Sequence, residues 1–380
     1  MTHERPRLFY IDNLRILLIV LVVLHHLAIT YGAPGDWPYR EGQPDMVASV
    51  VFALFGAINQ AFMMGFFFMI SGFFTPGSYD RKGGGPFLKD RLLRLGIPVL
   101  FYIVIIDPLV VYALVVNVRG FERSFLKFLP RFIENYGSLG VGPLWFVELL
   151  LIFNIFYVLW QRLATPAGHQ PQRESKTPSN MAIAAFALFL GLVTFIVRIL
   201  VPVGWELKLL GLRFPHFPQY LSLFVLGIVA YRRNWLLGIS DAMGKVWLTI
   251  TIITFVLLSI TLVAGGAMEG NIAPFVGGFH WQAFFKAVWD QFICMGMVIT
   301  MLVWFRRSFN RQGTVAKAMS ASAYTAYIIH QPVLVFLGLT LRRISLYPLI
   351  KFALVAPAAV VLCFLLSNYI RKLPLARSIL

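Results

Sequence analysis

Charged residues and cysteines are both scarce in this chain of 380 residues. Asp, Glu, Lys and Arg together make up 13% of it, against 59% hydrophobic residues, whereas soluble domains carry about 25% charged residues. This balance excludes an ordinary soluble domain and predicts an integral membrane protein. The two cysteines, Cys294 and Cys363, lie in apolar runs, where they provide neither a disulfide framework nor the spacing of a metal site.

Several other sequence features are missing, and each absence makes some class of protein or site less favoured. The first apolar segment follows a short basic head but has no small-residue cleavage site, so we expect it to remain as a signal anchor. The absence of a fixed-period repeat or an inverted pair of broken helices counts against a secondary transporter. No serine has the glycine setting of a hydrolase nucleophile. We find no nucleic-acid-binding motif and expect no nucleic-acid partner.

Acidic residues are few beside basic ones. The sequence holds 33 Lys and Arg against 16 Asp and Glu, a formal net charge of +17. In membrane proteins such an excess gathers in cytoplasmic loops and favours anionic lipid headgroups. Most of the basic residues between the apolar runs lie inside when both termini are cytoplasmic, so we predict that orientation.

Ten apolar runs approach the length of about twenty residues that a transmembrane helix requires. Their approximate limits are 14–32, 48–75, 95–118, 143–161, 180–202, 218–232, 246–265, 283–305, 319–341 and 347–370. We predict an all-α, polytopic bundle of about ten transmembrane helices that forms a single domain over residues 1–380, without a separate soluble domain. A helical bundle of this kind fits a multi-pass protein of the inner, or plasma, membrane.

The first run, IDNLRILLIVLVVLHHLAITYG, carries ionisable residues at membrane depth. Arg15 and His26 are separated by about three helical turns and a rise of about 16 Å, so they share one face at two depths. Ionisable groups inside a membrane usually face a protein interior or a wet cavity. Taken alone, Arg15 is more often an anchor that reaches the headgroups. Likewise, His25 or His26 is as often a packing residue as a functional one.

Further charged groups lie in other runs or at their ends. Arg91 and Arg94 share a helix face at the cytoplasmic mouth of the third run and suit an anionic ligand, although the positive-inside rule alone also explains them. Glu148 and Asp290 lie inside runs, where a carboxylate can orient a histidine or neutralise an arginine. We expect Asp290 to pair with Lys286, one turn away.

Histidines are the remaining candidates for chemistry. The ninth run, SASAYTAYIIHQPVLV, places Tyr324, Tyr327 and His330 on nearby faces, and Pro332 is expected to kink it. A zinc site, if present, would be built from His25, His26, His280 and His330. No pair of them has the spacing of ligands on one helix, so we expect no metal.

One outside loop has a periodic pattern of its own. Its basic residues recur every four positions and its phenylalanines at steps of four, three and four, which is typical of an amphipathic helix. The two sets are Arg119, Arg123, Lys127 and Arg131, and Phe121, Phe125, Phe128 and Phe132. We expect a helix at the outer interface until Pro130 disrupts it. Anchoring to lipid headgroups explains the pattern better than a lid over a substrate.

Several segments occur in the order found in one family of membrane enzymes. The most specific is an arginine and a histidine with ten residues between them, matched by Arg15 and His26. The others are YIDNLR, FFFMISGFF, FLKDRLLRLGIP, GPLWFVE, FPQYLSLFVLGIVAYRR and SAYTAYIIHQPV. Over essentially its whole length the chain resembles the membrane-bound acyltransferase-3 family. Within that family it resembles the glucan biosynthesis protein C branch, which succinylates periplasmic glucans.

The resemblance implies an O-acyltransferase. It would move an acyl group, acetyl or succinyl, from a cytoplasmic acyl-CoA-type donor to a hydroxyl of an extracytoplasmic glycan or related acceptor. In this scheme Arg15, Arg91 and Arg94 hold the anionic phosphates of the donor. The acyl-CoA is a co-substrate, and membrane lipids surround the protein.

The same scheme gives roles to residues deeper in the membrane. We expect His26 to act as general base toward the acceptor hydroxyl, with Glu148 as first choice and Asp290 as second choice for the carboxylate that tunes it. An acyl-histidine intermediate is less favoured. The residues expected to contact substrate are His25, Trp145 and His330.

Two other functions remain open from the residues alone. A proton-coupled secondary transporter or flippase of an envelope precursor would line its pathway with the same buried charges and use His26 as a proton relay. A noncatalytic scaffold would present the outer loops to partner enzymes. A transporter moves its substrate unchanged, whereas an acyltransferase leaves an ester on it.

Overall fold

The computed structural model describes residues 7–122, 124–134, 141–164, 175–207 and 211–379. Within these ranges the chain consists of helices and connecting loops, and its only β pairing is an isolated bridge between Leu207 and Leu212. The prediction of an all-α helix bundle is confirmed.

Ten of the longer helices follow the apolar runs of the sequence, and α4 (Phe125–Glu134) lies in the basic and aromatic segment between the third and fourth runs. The ten are α1 (Phe9–Thr30), α2 (Met46–Lys82), α3 (Gly84–Arg119), α5 (Trp145–Ala164), α6 (Asn180–Leu200), α7 (Phe217–Arg232), α8 (Asp241–Ala264), α9 (Trp281–Ser308), α10 (Thr314–Leu341) and α11 (Pro348–Ile370). The helix α3 contains two π-helical turns, Leu92–Gly96 and Tyr102–Ile106. Such turns often occur near functional sites.

In the described part of the chain, nine helices are long and apolar enough to cross a membrane. They coincide with nine of the ten predicted runs. The tenth run corresponds to α7, which has 16 residues and is shorter than the usual requirement of about twenty.

The first and last described segments of the chain lie at one end of the bundle, which we call the terminal face. The Asn13 side chain at the start of α1 donates to the Phe309 carbonyl, just after α9, and Ile379 lines a cavity together with Arg15. Termini on one face require an even number of crossings, so α7 supplies the tenth crossing. That the terminal face is cytoplasmic stays a prediction.

The short length of α7 has a structural reason, because the helix begins at membrane depth. His216, just before α7, contacts Arg198, whose partner Asp290 lies nine residues beyond the start of α9 at Trp281. At a rise of about 1.5 Å per residue, Asp290 is about 14 Å inside that end. The segment before α7 therefore dips into the bundle, and a shorter helix completes the crossing.

Two glycines allow α2 and α7 to pack closely. A Cβ atom on Gly72 would lie 2.1 Å from the Phe224 carbonyl oxygen, and one on Gly227 would lie 2.1 Å from the Met69 carbonyl oxygen. Both contacts are with backbone atoms, which cannot turn away as a side chain can. Small residues at such positions are what lets membrane helices approach each other.

We therefore expect Gly227→Ala to destabilise the bundle by about 1–3 kcal/mol, the usual cost of overpacking. The measurement is thermal unfolding of the purified protein in detergent. The control is Gly85→Ala in α3, where an added Cβ would meet no atom within 4 Å. Equal unfolding temperatures for the two variants would show that α2 and α7 accommodate the added methyl group without loss of stability.

The prediction that the basic and aromatic segment forms one helix was wrong. Arg119 is the last residue of α3, and Gly120 follows with φ +68°, in the left-handed region that favours glycine. The amphipathic helix α4 begins only at Phe125. Arg123 lies outside the described residues.

Pro130 does not end α4, and that prediction was wrong. It lies inside the helix, which continues to Glu134. Its ring removes one helical hydrogen bond, but the aromatic face compensates through packing. Phe128 and Phe132 are buried, and Phe128 lies 5.5 Å from the ring of Tyr112 on α3. The apolar face of α4 therefore packs against α3.

Candidate active site

His26 lies on α1, one turn before the end that is opposite the terminal face. Its Nδ1 is 3.0 Å from the carbonyl oxygen of Val22. A carbonyl oxygen can only accept, so Nδ1 carries the proton in the neutral ring and Nε2 keeps a lone pair. His26 is half-buried. Its Nε2 is therefore the atom able to take a proton from a substrate.

A second histidine, His330 on α10, lies beside His26, with 4.9 Å between the ring centroids. Its Nδ1 donates to the Tyr327 carbonyl, so its Nε2 also keeps a lone pair. His330 is fully buried, and this Nε2 has no hydrogen-bond partner among the described residues. Buried polar atoms are normally paired, so the position suits a substrate group or a water molecule.

Trp37 covers the two histidines. Its ring stacks on His26 at 4.4 Å and on His330 at 6.1 Å. The indole Nε1 is buried and, within the described ranges, donates to no partner. Sequence reasoning missed Trp37, because a tryptophan in a loop between two spans is ordinarily an interfacial belt residue.

The loop that carries Trp37, residues 31–45, is anchored to the ends of α10 and α11. Lys351, on α11, is buried and pairs with Glu41, and it also donates to the carbonyls of Leu341 and Ile344 at 2.9 Å each. Burial, together with the neighbouring Glu41 carboxylate, raises the pKa of Tyr39 to about 12. The loop is thus fixed by buried polar contacts, and it holds Trp37 over the histidine pair.

A cavity of about 320 Å³ opens on the terminal face. The three arginines predicted to hold a donor, Arg15, Arg91 and Arg94, all line it. Polar side chains of Ser71 and Asn154 lie in the same wall. The structure therefore brings together three cations that the sequence separates into two helices.

The cations differ in how far they are neutralised. Arg94 pairs with Asp90 at 3.1 Å, and Arg15 lies 3.8 Å from Asp12. The Arg15–Asp12 pair is therefore a long one, at the limit of ion-pair distance. Arg91 stacks over the Phe87 ring at 5.0 Å, and its Nε is buried without a hydrogen-bond partner in the described structure. Among the described residues Arg91 forms no ion pair, so it is the least neutralised of the three cations.

Tyr327 connects the cavity with the histidine pair. It lines the cavity, and its ring lies 5.5 Å from that of His330. Its hydroxyl donates to the Pro143 carbonyl, just before α5. The arginines, Tyr327, His330 and His26 therefore follow one another from the terminal face into the bundle. Pro332 lies inside α10, and the helix continues past it to Leu341.

Glu148 and Trp145 lie in the first turn of α5. The Oε2 atom of Glu148 is buried and has no partner among the described residues. Next to it in sequence, Val147 lines the arginine cavity. Trp145 stacks on Tyr220 at 5.4 Å, and the guanidinium of Arg213 lies 5.9 Å from its ring. Glu148 thus has a buried carboxyl oxygen without a partner in the described ranges, whereas Trp145 packs on the α7 side.

Asp290 belongs to a separate buried ion cluster. It accepts from Arg198 at 2.7 Å and from Lys286, as predicted for the latter pair. Arg198 also donates to Nδ1 of His216 at 3.3 Å, so that histidine is neutral with its proton on Nε2. Both Asp290 oxygens are engaged in the cluster, and the structure does not bring them to His26.

The His25 ring lies edge-on to the His26 ring, with 5.5 Å between the centroids. Its Nδ1 is buried without a partner in the described ranges, and its ring approaches Gly56 on α2. His280 is exposed at the start of α9. Within the described residues, no group of three or more His, Cys, Asp or Glu is placed to hold a metal ion.

The sequence profile of acyltransferase family 3, described as an acyltransferase domain, matches residues 8–368. The chain belongs to this family. Two similar proteins are the glucans biosynthesis protein C of Escherichia coli strain 536, 22% identical over 344 residues, and of Escherichia coli strain SMS-3-5, 21% identical over 342 residues. Each alignment covers 87% of this chain and 83% of the relative. No solved structure matches.

The protein is accordingly a multi-pass membrane O-acyltransferase. The matched range of the acyltransferase contains α1 to α10 and nearly all of α11, and with them the histidine pair, Trp37 and the three arginines. The predicted family and enzyme class are confirmed. The identities of donor, acceptor and catalytic residue are separate questions.

Proposed function

We propose that the acyltransferase moves an acetyl or succinyl group from an acyl-CoA-type donor to a hydroxyl of a glycan on the other side of the membrane. One observation carries the proposal. The cavity lined by Arg15, Arg91 and Arg94 shares Tyr327 with the histidine pair. An anion-binding mouth thus adjoins a general base.

The donor end of this path suits phosphate groups. Guanidinium groups bind phosphate oxygens through paired, charge-assisted hydrogen bonds. Along α1, Arg15 and His26 are about 16 Å apart, so an extended arm between the phosphates and the thioester has to cover that distance. The positive-inside rule favours a cytoplasmic terminal face, so we expect the donor to bind from the cytoplasm to a protein of the inner membrane.

The chemical step needs one proton acceptor. Nε2 of His26 takes the proton of the acceptor hydroxyl as its oxygen attacks the thioester carbonyl. The carbon–sulfur bond of the resulting tetrahedral intermediate then breaks, and the leaving thiolate receives the proton from the imidazolium. The acceptor gains an ester, and the donor is released as a free thiol.

Other residues support this step. Glu148 is our proposed carboxylate partner because its Oε2 is buried and has no partner among the described residues, whereas Asp290 is already neutralised by Arg198 and Lys286. The unpaired Nε2 of His330 can accept from a substrate hydroxyl. His25 and Trp145 remain proposed substrate contacts, and their test is substitution.

The acceptor is proposed from the relatives. Both are named for glucan biosynthesis, and a glucan offers many equivalent hydroxyls. Mass spectrometry of envelope glycans from matched strains with and without the gene tests this directly. Loss of an ester mass on deletion, restored by the wild-type gene and not by a His26→Ala gene, supports the proposal and identifies the acyl group.

The same experiment has an outcome that contradicts the proposal. A transporter or a scaffold leaves the ester content of the glycans independent of His26. Unchanged glycan masses in the deletion strain, with an ester missing from another envelope component, would retain the acyltransferase and reject the glycan acceptor.

Trp37 allows a test of how the histidine pair is positioned. We expect Trp37→Ala to lower the rate of acyl transfer about tenfold, because an aromatic stack contributes about 0.5–1.5 kcal/mol and 1.36 kcal/mol is tenfold in rate. Trp37→Phe keeps a stacking ring and should stay within a few-fold of wild type. Trp160→Ala, at an exposed position on α5, is the control. A wild-type rate for Trp37→Ala would show that the stack does not position His26.

A further inference from the structure

We propose that α3 and α10 form a binding site for an anionic glycerophospholipid. A groove of about 420 Å³ lies between them on the surface that faces the bilayer. Its walls are apolar and include Leu109 and Val116 from α3 and Pro332 and Phe336 from α10. This groove is separate from the arginine cavity.

The dimensions of the groove match one acyl chain. Its lining extends along α3 from Ile106 to Asn117, which is about 16 Å at the helical rise. The hydrocarbon core of a bilayer is about 30 Å thick, so this length is about one leaflet. The groove runs from mid-membrane to the face opposite the termini, which is the path of a lipid tail.

Cations surround the outer end of the groove. The Arg342 side chain, at the end of α10, donates to the Asn117 carbonyl of α3 and so bridges the two helices where the groove ends. Arg342 is exposed, as are Arg119 and Arg343. Guanidinium groups at this position suit the phosphate of a headgroup.

The helix α4 adds to the positive charge of this end. Its Phe128 packs on Tyr112, which lines the groove, and its exposed face carries Lys127. The exposed acidic residues here are Glu122 and Glu134, fewer than the surrounding basic residues. A lipid tail suits an apolar groove that faces the bilayer, and the excess of cations favours an anionic headgroup. This accounts for the periodic basic and aromatic segment of the sequence.

The site also adjoins the chemistry. Pro332 lies two residues after His330 on α10, so a tail in the groove packs against the turn that carries the histidine. Lipid binding is a property distinct from acyl transfer and is measured without a substrate.

Native mass spectrometry of the full chain, released from detergent and supplied with phosphatidylglycerol or phosphatidylethanolamine, tests the proposal. We expect wild type to retain phosphatidylglycerol several-fold better than phosphatidylethanolamine. Arg342→Gln removes the bridging cation and should weaken phosphatidylglycerol binding about tenfold. Ala113→Trp fills the groove and should abolish the preference. Lys245→Gln, at an exposed position on α8, removes one charge elsewhere and should bind as wild type does.

Two results overturn the proposal. One is equal retention of the two lipids by wild type, which indicates a nonspecific lipid shell. The other is unchanged phosphatidylglycerol binding in Ala113→Trp, which shows that the tail does not occupy the groove. Thermal unfolding checks that each variant is folded, and Val116→Trp, on the same wall, replaces Ala113→Trp if that variant does not fold.

Discussion

Replacing His26 by alanine is expected to reduce acyl transfer by about 10²- to 10⁴-fold, the usual contribution of a general base. The reason lies in the tautomer that the structure selects. The Val22 carbonyl holds the proton on Nδ1 of His26, so Nε2 carries the lone pair that can accept a proton, and the variant loses it. The measurement is ester formation by purified protein in lipid vesicles, with a labelled acyl donor and an extracted glycan acceptor.

Two controls make the result specific. His280→Ala removes an exposed histidine at the start of α9 and should leave the rate unchanged. The unfolding temperatures of His26→Ala and wild type should be nearly equal. His26 is only half-buried, and removing its neutral ring leaves no buried charge without a partner. A wild-type rate in correctly inserted His26→Ala would falsify the role of His26 as general base.

His330 makes a further distinction possible in the same assay. It has the same tautomer as His26 but is fully buried. If its role is to bind the acceptor, His330→Ala should raise the acceptor KM more than it lowers kcat. An equal fall in kcat and kcat/KM would instead place His330 in the transition state.

The sequence predicted the helices well because hydropathy alone decides them in a membrane. Each of the ten apolar runs coincides with a helix, and the ends differ by only a few residues at most positions. The structure alone reveals why the run at 218–232 is short, since that depends on a loop dipping to the level of Arg198 and Asp290. Hydropathy carries no information about such a dip.

Side-chain spacing on one helix also proved informative. The shared face of Arg15 and His26 follows from helix geometry, and the pairing of Lys286 with Asp290 from the same rule. Contacts between distant segments could not be predicted in this way. The approach of His330 to His26 and the pairing of Lys351 with Glu41 join residues about three hundred positions apart, and no local pattern encodes them.

Trp37 illustrates the limit most clearly. Its position over the histidines depends on a loop that is fixed by a lysine on the last long helix. Asp290 shows the converse. Its burial was predictable, but its choice of Arg198 as a partner depends on how α6 packs against α9. Burial of a carboxylate does not by itself say which cation it meets.

The donor cavity gives the second large effect. We expect Arg91→Gln to raise the KM for the acyl donor by about 10- to 100-fold with little change in kcat. A charge-assisted hydrogen bond contributes about 1.5–3 kcal/mol, and the phosphates are bound equally before and during the reaction. Arg94→Gln should have a smaller effect, because Asp90 already neutralises Arg94, whose side chain is 53% exposed. The measurement is initial rate against donor concentration.

Lys89→Gln is the matched control, since Lys89 is an exposed cation on the same helix but does not line the cavity. If the arginines act only through the general positive charge of this face, the lysine and arginine variants should have equal effects. Raising the salt concentration should then bring the donor KM of all three variants close to that of wild type. A specific phosphate site instead predicts that the order Arg91, Arg94, Lys89 persists in salt. That order is expected because Arg91 lines the cavity without an ion pair among the described residues, Asp90 neutralises Arg94, and Lys89 lies outside the cavity.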